Sequence, residues 1–538
     1  MLFRISFASL ALSVATAWAW QRPFQMPVPT EQDNVQILSH PSLPAYSVRL
    51  HRVPDGVCER APTASWSGYL DVDLDVLFEK EREAGHASAL ATPPGIVEHF
   101  YFWAFESRTD PRNDPLTLWL NGGPGCSSFT GLLMELGPCN AAPLEDDNVP
   151  RTEWNPYSWT TNSSMIFLDQ PIGVGFSYAS WKNGSTNNVP PARIFSTEQS
   201  ARDVSAFLHL LAASPHGPFE PQVGEDGSLQ MREFHMAGES YAGRYLPLIA
   251  SRIVNDNEHY MQHPEDGLEP LPLRSILIGN GITSPRHQNA AYVEYACTKK
   301  SGHGPFLDDK TCKKMWKKLP VCEEKLAKCN KHRGPGKYDV KACQDALSFC
   351  EEHLSTPWEK TNSSFYDWNH PVEYKQSAYV HDFLNHADTR RDLGLDHFRI
   401  GDQRTGEFKD CSDNVYNNFA STGDGARDST WAIEHILEKG IRVLSYSGRR
   451  DFICNFIGNG NWVHDLEWSG SKGYREAPLE DWFIHGQKAR AGQFRSYGNM
   501  TYAIVEEAGH FVPLDQPPAA LAMFERWVHP RTKLGRLD

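Results

Sequence analysis

Beyond its first nineteen residues, this 538-residue chain has no apolar run long enough to cross a bilayer. It closes on Lys533-Leu534-Gly535-Arg536-Leu537-Asp538, which lacks the hydrophobic tail of a lipid-anchor signal. No membrane anchor is therefore expected. Positive charge is short as well: 52 Lys and Arg stand against 67 Asp and Glu, a formal net charge of −15. That balance argues against nucleic acid or anionic membrane as a general partner, and it suits a secreted or acid-compartment protein. Nor do any two cysteines stand at the spacing of a zinc knuckle, so no metal and no cofactor is expected. Disorder is excluded in turn, because 40% of residues are hydrophobic and 12% aromatic, enough for a large core. The length exceeds one minimal domain but fits one enlarged α/β domain carrying an insertion.

What the chain does have begins with an address. Arg4 supplies a positive start, residues 5–15 an apolar stretch, and Ala17-Trp18-Ala19 a small-x-small cleavage site. Residues 1–19 are thus expected to be a cleaved signal peptide; the competing membrane anchor needs a longer run. Export agrees with the Asn-x-Ser/Thr glycosylation acceptors at Asn162, Asn183, Asn362 and Asn499. Eleven cysteines are an odd number, so at least one is unpaired within the chain, and the other ten are expected to be oxidised.

The stretch that organises the chain is Gly238-Glu239-Ser240-Tyr241-Ala242-Gly243. A short half-apolar segment, residues 233–237, precedes it as a strand, and Tyr245, Leu248, Ile249 and Ile253 follow at helical spacing. A serine between strand and helix, with small residues two before and two after, is what a nucleophile elbow requires. Alanine at 242 makes this a variant of the strict glycine pattern. The other small-x-Ser-x-small copy, at Ser471, has no apolar run ahead of it and is set aside.

Residues 67–72 and 99–105 read as the opening strands, and 116–120 as the next. The last runs into Asn121-Gly122-Gly123-Pro124-Gly125-Cys126-Ser127-Ser128, whose glycines let backbone approach a ligand closely. Further strands are expected at 165–169, 273–278, 441–446 and 502–505, and helices at 197–213 and 518–528. This alternation predicts a mostly parallel central sheet with helices on both faces, and a nucleophile elbow on such a sheet fits the α/β-hydrolase type. From 283 to 440 cysteines become dense and buried-strand signals vanish, which predicts an inserted helical, disulfide-rich cap dividing the core into 20–282 and 441–538. Cys322 and Cys329 are two helical turns apart, as are Cys343 and Cys350, with a Gly-Pro-Gly turn between the pairs. An antiparallel helical hairpin would pair Cys322 with Cys350 and Cys329 with Cys343.

A serine nucleophile needs a base, and the base an orienting partner. With 22 histidines and 67 acidic residues only position can choose them. In an α/β-hydrolase sheet the order is serine, acid, histidine on loops after successive late strands, and Asp451 and His510 each follow such a strand. These motifs, with Gly509-His510-Phe511-Val512-Pro513, resemble the signatures of the serine carboxypeptidase family over residues 67–528, closest in look to its secreted and vacuolar fungal members. The resemblance implies Ser240 as nucleophile, His510 as general base and Asp451 as its orienting acid. It implies an oxyanion hole from the amides of Gly123 and Tyr241, and binding of a peptide's terminal carboxylate by Asn121, Gly122, Glu135 and Glu239. It further implies bridges Cys126–Cys411 and Cys297–Cys312 and a free thiol at Cys454, which leaves Cys58 with Cys139. Phe511, Ile453, Thr130 and Met134 are read either as pocket walls or as plain core. The expected activity is release of C-terminal residues from peptides and proteins, with an acidic optimum. Two rivals stand beside it: an acyl transferase or esterase on the same scaffold, and a hydrolase-like shell kept for binding.

Overall fold

A computed structural model describes residues 35–529 apart from 80–91, 146, 148, 191–195, 213–216, 221, 224–228, 337, 371, 373, 396–405 and 487. The expected signal peptide therefore lies outside the described residues. Thirteen described strands make one sheet: β1 Val35–Ser39, β2 Tyr46–Arg52, β3 Ser65–Asp73, β4 Ile96–Phe105, β5 Leu116–Leu120, β6 Ser164–Leu168, β7 Tyr178–Trp181, β8 Phe234–Glu239, β9 Leu273–Gly279, β10 Arg442–Gly448, β11 Glu480–Phe483, β12 Arg490–Tyr497 and β13 Met500–Val505. The path across it runs β1-β2-β3-β4-β6-β5-β8-β9-β10-β13-β12-β11, with β7 paired to β4. Its centre, from β6 to β13, is parallel, and both wings are antiparallel. The fold is of the α/β-hydrolase type.

Alternation within the central strands builds two cores at once. Leu116, Leu118 and Leu120 of β5 point to one face, with Met236, Ile276 and Val443 of its neighbours. Trp119, Ala237, Leu277 and Leu444 point to the other. Helices α1 Thr197–Ala212 and α2 Ala242–Gln262 cover the first face, through Phe207, Leu211, Tyr245 and Ile249. The short helix Leu132–Leu136 and α3 Pro517–Val528 cover the second, where Trp159 stacks on Phe524. Being covered on both faces is why these strands read as continuous apolar runs.

The sequence reading opens the sheet at residue 67, and here it is corrected: β1 and β2 precede that point. In β2 the buried residues Tyr46, Val48 and Leu50 alternate with less buried Ser47 and Arg49, a pattern too short and polar to stand out. The strands β11 and β12 at the far wing likewise escape the sequence reading, since their exposed residues dilute the apolar signal.

Between β9 and β10 every described regular element is helical. The helices Asp309–Cys329 and Val340–Cys350 form a hairpin carrying the Cys322–Cys350 and Cys329–Cys343 bridges. Cys297–Cys312, Cys58–Cys139 and Cys126–Cys411 complete the five disulfides, and Cys454 is free and buried. The helix Thr430–Glu438, late in this segment, returns to the sheet and adds Ile433, Ile436 and Leu437 to its first core.

One buried ion pair ties this segment to the core. Asp424 lies fully buried and accepts from Arg244 Nε at 3.0 Å, Tyr241 Oη at 2.5 Å and Thr197 Oγ1 at 2.9 Å. Burial alone would raise its pKa, but Arg244 and these donors hold the carboxyl below its ordinary range. Removing one partner leaves an uncompensated buried charge, which costs about 3–5 kcal/mol. Asp424→Asn should therefore lower the unfolding free energy by that amount, read as a lower urea midpoint at unchanged m-value, and a midpoint equal to wild type would refute the role assigned to this pair.

Candidate active site

The turn after β8 is held from three directions. Ser240 sits in the left-handed region at φ 61°, unusual for a residue with a β-carbon. Its N–H donates to the carbonyls of Gly279 and Asn280 at the end of β9, at 3.0 and 3.1 Å. Its own carbonyl accepts from Gly243 and Ile282. The small residues are demanded by contact: a β-carbon on Gly238 would lie 2.3 Å from the Leu120 carbonyl oxygen and 2.8 Å from Ala242 Cβ. Alanine at 242 fits because Gly238 leaves it the room.

Asp451 and His510 lie on the loops after β10 and β13. His510 Nδ1 is 2.9 Å from Asp451 Oδ2, and both side chains are buried. The same Asp451 oxygen accepts from Asn280 Nδ2 at 2.7 Å. Cys454 offers its sulfur within 4.8 Å of ligand-type atoms of both residues, and the Ser240 side chain is near enough to bear on its thiol. Ser240, Cys454, His510 and Asp451 thus meet at the carboxyl ends of the parallel strands. Burial pushes the Cys454 thiol well up, with Asp451 and Glu239 adding to the shift, so it stays protonated.

On the other side of Ser240 lies a second cluster. Trp119 Nε1 and the Gly131 N–H both donate to Asn121 Oδ1, at 2.7 and 3.1 Å. Two obligate donors fix which end of the amide is oxygen. Its nitrogen then donates to Glu239 Oε1 at 2.8 Å, with a second N–H to spare. Glu135, on the helix Leu132–Leu136, lies close enough to Glu239 to bear on its protonation, while neither Glu135 oxygen has a hydrogen-bond partner among the described residues. Burial pushes Glu135 up to about 8, with Asp515 adding to it. Burial and then Glu135 push Glu239 well up too. Asp515, held by the Gly509 N–H at 2.7 Å, is raised by burial to about 6.

Gly122 closes the gap between the clusters, since a β-carbon there would stand 2.3 Å from Tyr241 N and 2.7 Å from Ser240 Cβ. Gly123, at φ 105°, and Tyr241 border a cavity of about 290 Å³ that runs under the inserted segment and is also lined by Ile453. Phe511 is half-buried against Tyr366 and Tyr374. Met134 is core, only 2% exposed, and Thr130 is half-buried beside it. Of the glycosylation acceptors, Asn183 and Asn362 are exposed, while Asn162 and Asn499 are half-buried.

Three contributors escaped the sequence reading. Asn280 supports Asp451, and its signal was a polar residue between two glycines right after a strand. Tyr366 and Asp367, from the inserted segment, run against the histidine loop. The Tyr366 carbonyl accepts from His510 N at 2.7 Å, and a β-carbon on Gly509 would meet Asp367 Cβ at 2.5 Å. No local pattern marks them, because only the fold brings residue 366 to residue 510.

Comparison with known proteins follows this geometry. A family model described as serine carboxypeptidase matches residues 79–530. The vacuolar serine-type carboxypeptidase ATG42 of Saccharomyces cerevisiae is 36% identical over 494 residues, 90% of this chain and 82% of that protein. Carboxypeptidase Y of Candida albicans is 38% identical over 80% of this chain and 71% of its own length. The crystal structure of Kex1(delta)p, a prohormone-processing carboxypeptidase from S. cerevisiae, superposes with a TM-score of 0.67 at 23% identity, covering 91% of this chain and 97% of that one, which speaks to the fold. The chain belongs to the serine carboxypeptidase family, and it is a serine-type carboxypeptidase that releases C-terminal residues from peptides and proteins.

Proposed function

We propose that Ser240, His510 and Asp451 carry this reaction through an acyl-enzyme, at acidic pH, on substrates ending in a free carboxylate. The observation that carries the proposal is the meeting of the Ser240–Cys454–His510–Asp451 cluster and the Glu135–Glu239 pair on either side of one turn. With Nδ1–H committed to Asp451, the lone pair of His510 Nε2 is the one free to take the serine proton. The amides of Gly123 and Tyr241 receive the oxyanion. His510 then returns the proton to the leaving amine, and water resolves the ester by the same route.

Asn121, Gly122, Glu135 and Glu239 hold the terminal carboxylate. Two acids do this as hydrogen-bond donors, because each keeps a proton at low pH. In the division we favour, residues 283–440 cap a core made of 20–282 and 441–538. The protein enters the secretory pathway by residues 1–19, is glycosylated at the four acceptors, and resides in a vacuole or outside the cell. One relative named as vacuolar supports the destination.

A serine-directed organophosphate should leave its adduct on Ser240, and Ser240→Ala should lower kcat about a million-fold. An adduct on another serine, or a C-terminally amidated peptide cleaved as fast as its free acid, would refute the assignment.

The sign of the pH effect follows from the raised glutamate pKa values. The pair is neutral at low pH and gains charge as pH rises toward about 8, turning donors into repellers of the substrate carboxylate. KM should therefore climb from about pH 5 to about pH 8; a KM that falls steadily over that range contradicts the mechanism.

Cys454, fully buried yet beside Ser240, should make the enzyme sensitive to a small mercurial, with Cys454→Ser resistant. An unaffected wild type would remove the thiol from the pocket wall.

A further inference from the structure

The cavity beside the elbow carries a charge that none of the chemistry above uses. Gly123 and Tyr241 border one end of it, and Tyr292, Tyr416 and Phe419 supply aromatic wall. Among the described residues that line it, Glu351 alone is charged, and no Lys, Arg or His faces it there. Glu351 opens the helix Glu351–Ser355 directly after Cys350, which is pinned to Cys322, and its carbonyl accepts from Ser355 Oγ at 3.2 Å. Its backbone is therefore fixed. Burial first and the Glu351 charge second push the Tyr416 phenol up, which puts this carboxylate within electrostatic reach of the wall. A carboxylate facing aromatic surface, with no cation supplied by the cavity, is a receptor for a side chain that has an apolar stem and a positive end.

The position of the cavity says which substrate residue enters it. Asn121, Glu135 and Glu239, the groups assigned to the terminal carboxylate, are absent from its lining. The groups that grip the leaving residue's carboxylate therefore lie outside the cavity, whereas Gly123 and Tyr241, assigned to the oxyanion, stand at its border. We infer that it receives the side chain of the penultimate residue, whose carbonyl Ser240 attacks, and that Glu351 makes lysine or arginine the preferred residue there. The inference rests on the carboxypeptidase reading above and adds a specificity determinant to it.

The test uses N-acylated dipeptides with a common C-terminal leucine and lysine, arginine, norleucine or glutamate before it. Norleucine matches the lysine stem without its charge. At about pH 6 the wild type should favour lysine over norleucine about five-fold in kcat/KM, a modest factor because solvent reaches Glu351. Glu351→Gln should bring that ratio close to one, and Glu351→Lys should turn the preference toward glutamate. A wild-type ratio near one, or a ratio unchanged in Glu351→Gln, overturns the inference while leaving the enzyme a carboxypeptidase. A wild type that leaves even the norleucine peptide intact overturns the carboxypeptidase reading and this inference with it.

Discussion

The site depends on one steric fact: two neighbouring parallel strands, β5 and β8, end side by side, and the turns that leave them touch. Gly122 lies against Ser240 and Tyr241, and Gly238 against the Leu120 carbonyl, with no volume for a methyl at either place. The left-handed backbone of Ser240 costs about 1–2 kcal/mol and is retained because the end of the next strand holds its N–H. Everything with a proposed chemical role follows from that contact. Asn121 and Glu239, the last residues before the two turns, are brought into hydrogen bond by it. Tyr241, the first residue after the serine, is brought beside Gly123.

The inserted segment is bonded to the same helix that the elbow begins. Pro247 lies within α2 and has no N–H to give the Gly243 carbonyl. That carbonyl instead accepts from Thr283 Oγ1 at 3.1 Å and Ser429 Oγ at 3.2 Å. Thr283 and Ser429 stand near the two ends of the stretch between β9 and β10, and the Ser429 N–H donates to the Thr283 carbonyl at 3.0 Å. A proline that would ordinarily weaken a helix here frees an acceptor that gathers both ends of a long excursion. Asp424 adds the charge half of the same attachment, through Arg244 one turn earlier. The roof of the cavity is in this way referenced to the serine beneath it.

How much of this could be read in the sequence follows from where the forces act. The elbow, the central strands and the two residues after late strands were legible, because strand burial and turn chemistry are local and leave periodic marks. The helical hairpin of the insertion was legible for the same reason, through paired two-turn cysteine spacings. What escaped was either edge or excursion. In β1 and β2 seven of twelve residues are exposed or only half-buried, so the apolar signal is dilute. Tyr366 and Asp367 act on His510 by backbone and shape across 144 residues of chain, the interval between 366 and 510, and nothing in either neighbourhood announces the other.

The distribution of hydrogen-bond donors among the buried acids explains the choice of acids over amides. Among the described residues Glu135 and Glu239 share a single donor between them, from Asn121, and no Arg or Lys is among the influences that set their pKa values. Asp451 by contrast has Asn280 and His510 on one oxygen. A pair of buried carboxyls with one donor and no cation keeps a proton, since two naked charges there would cost far more than the shift in pKa. Glutamines at 135 and 239 would also donate, but at every pH. Carboxyls donate only while protonated, so the grip on a substrate's carboxylate is coupled to acidity by the same burial that makes the pair possible. Responsiveness to pH is, on this argument, a consequence of placing two acids where the chain supplies one amide.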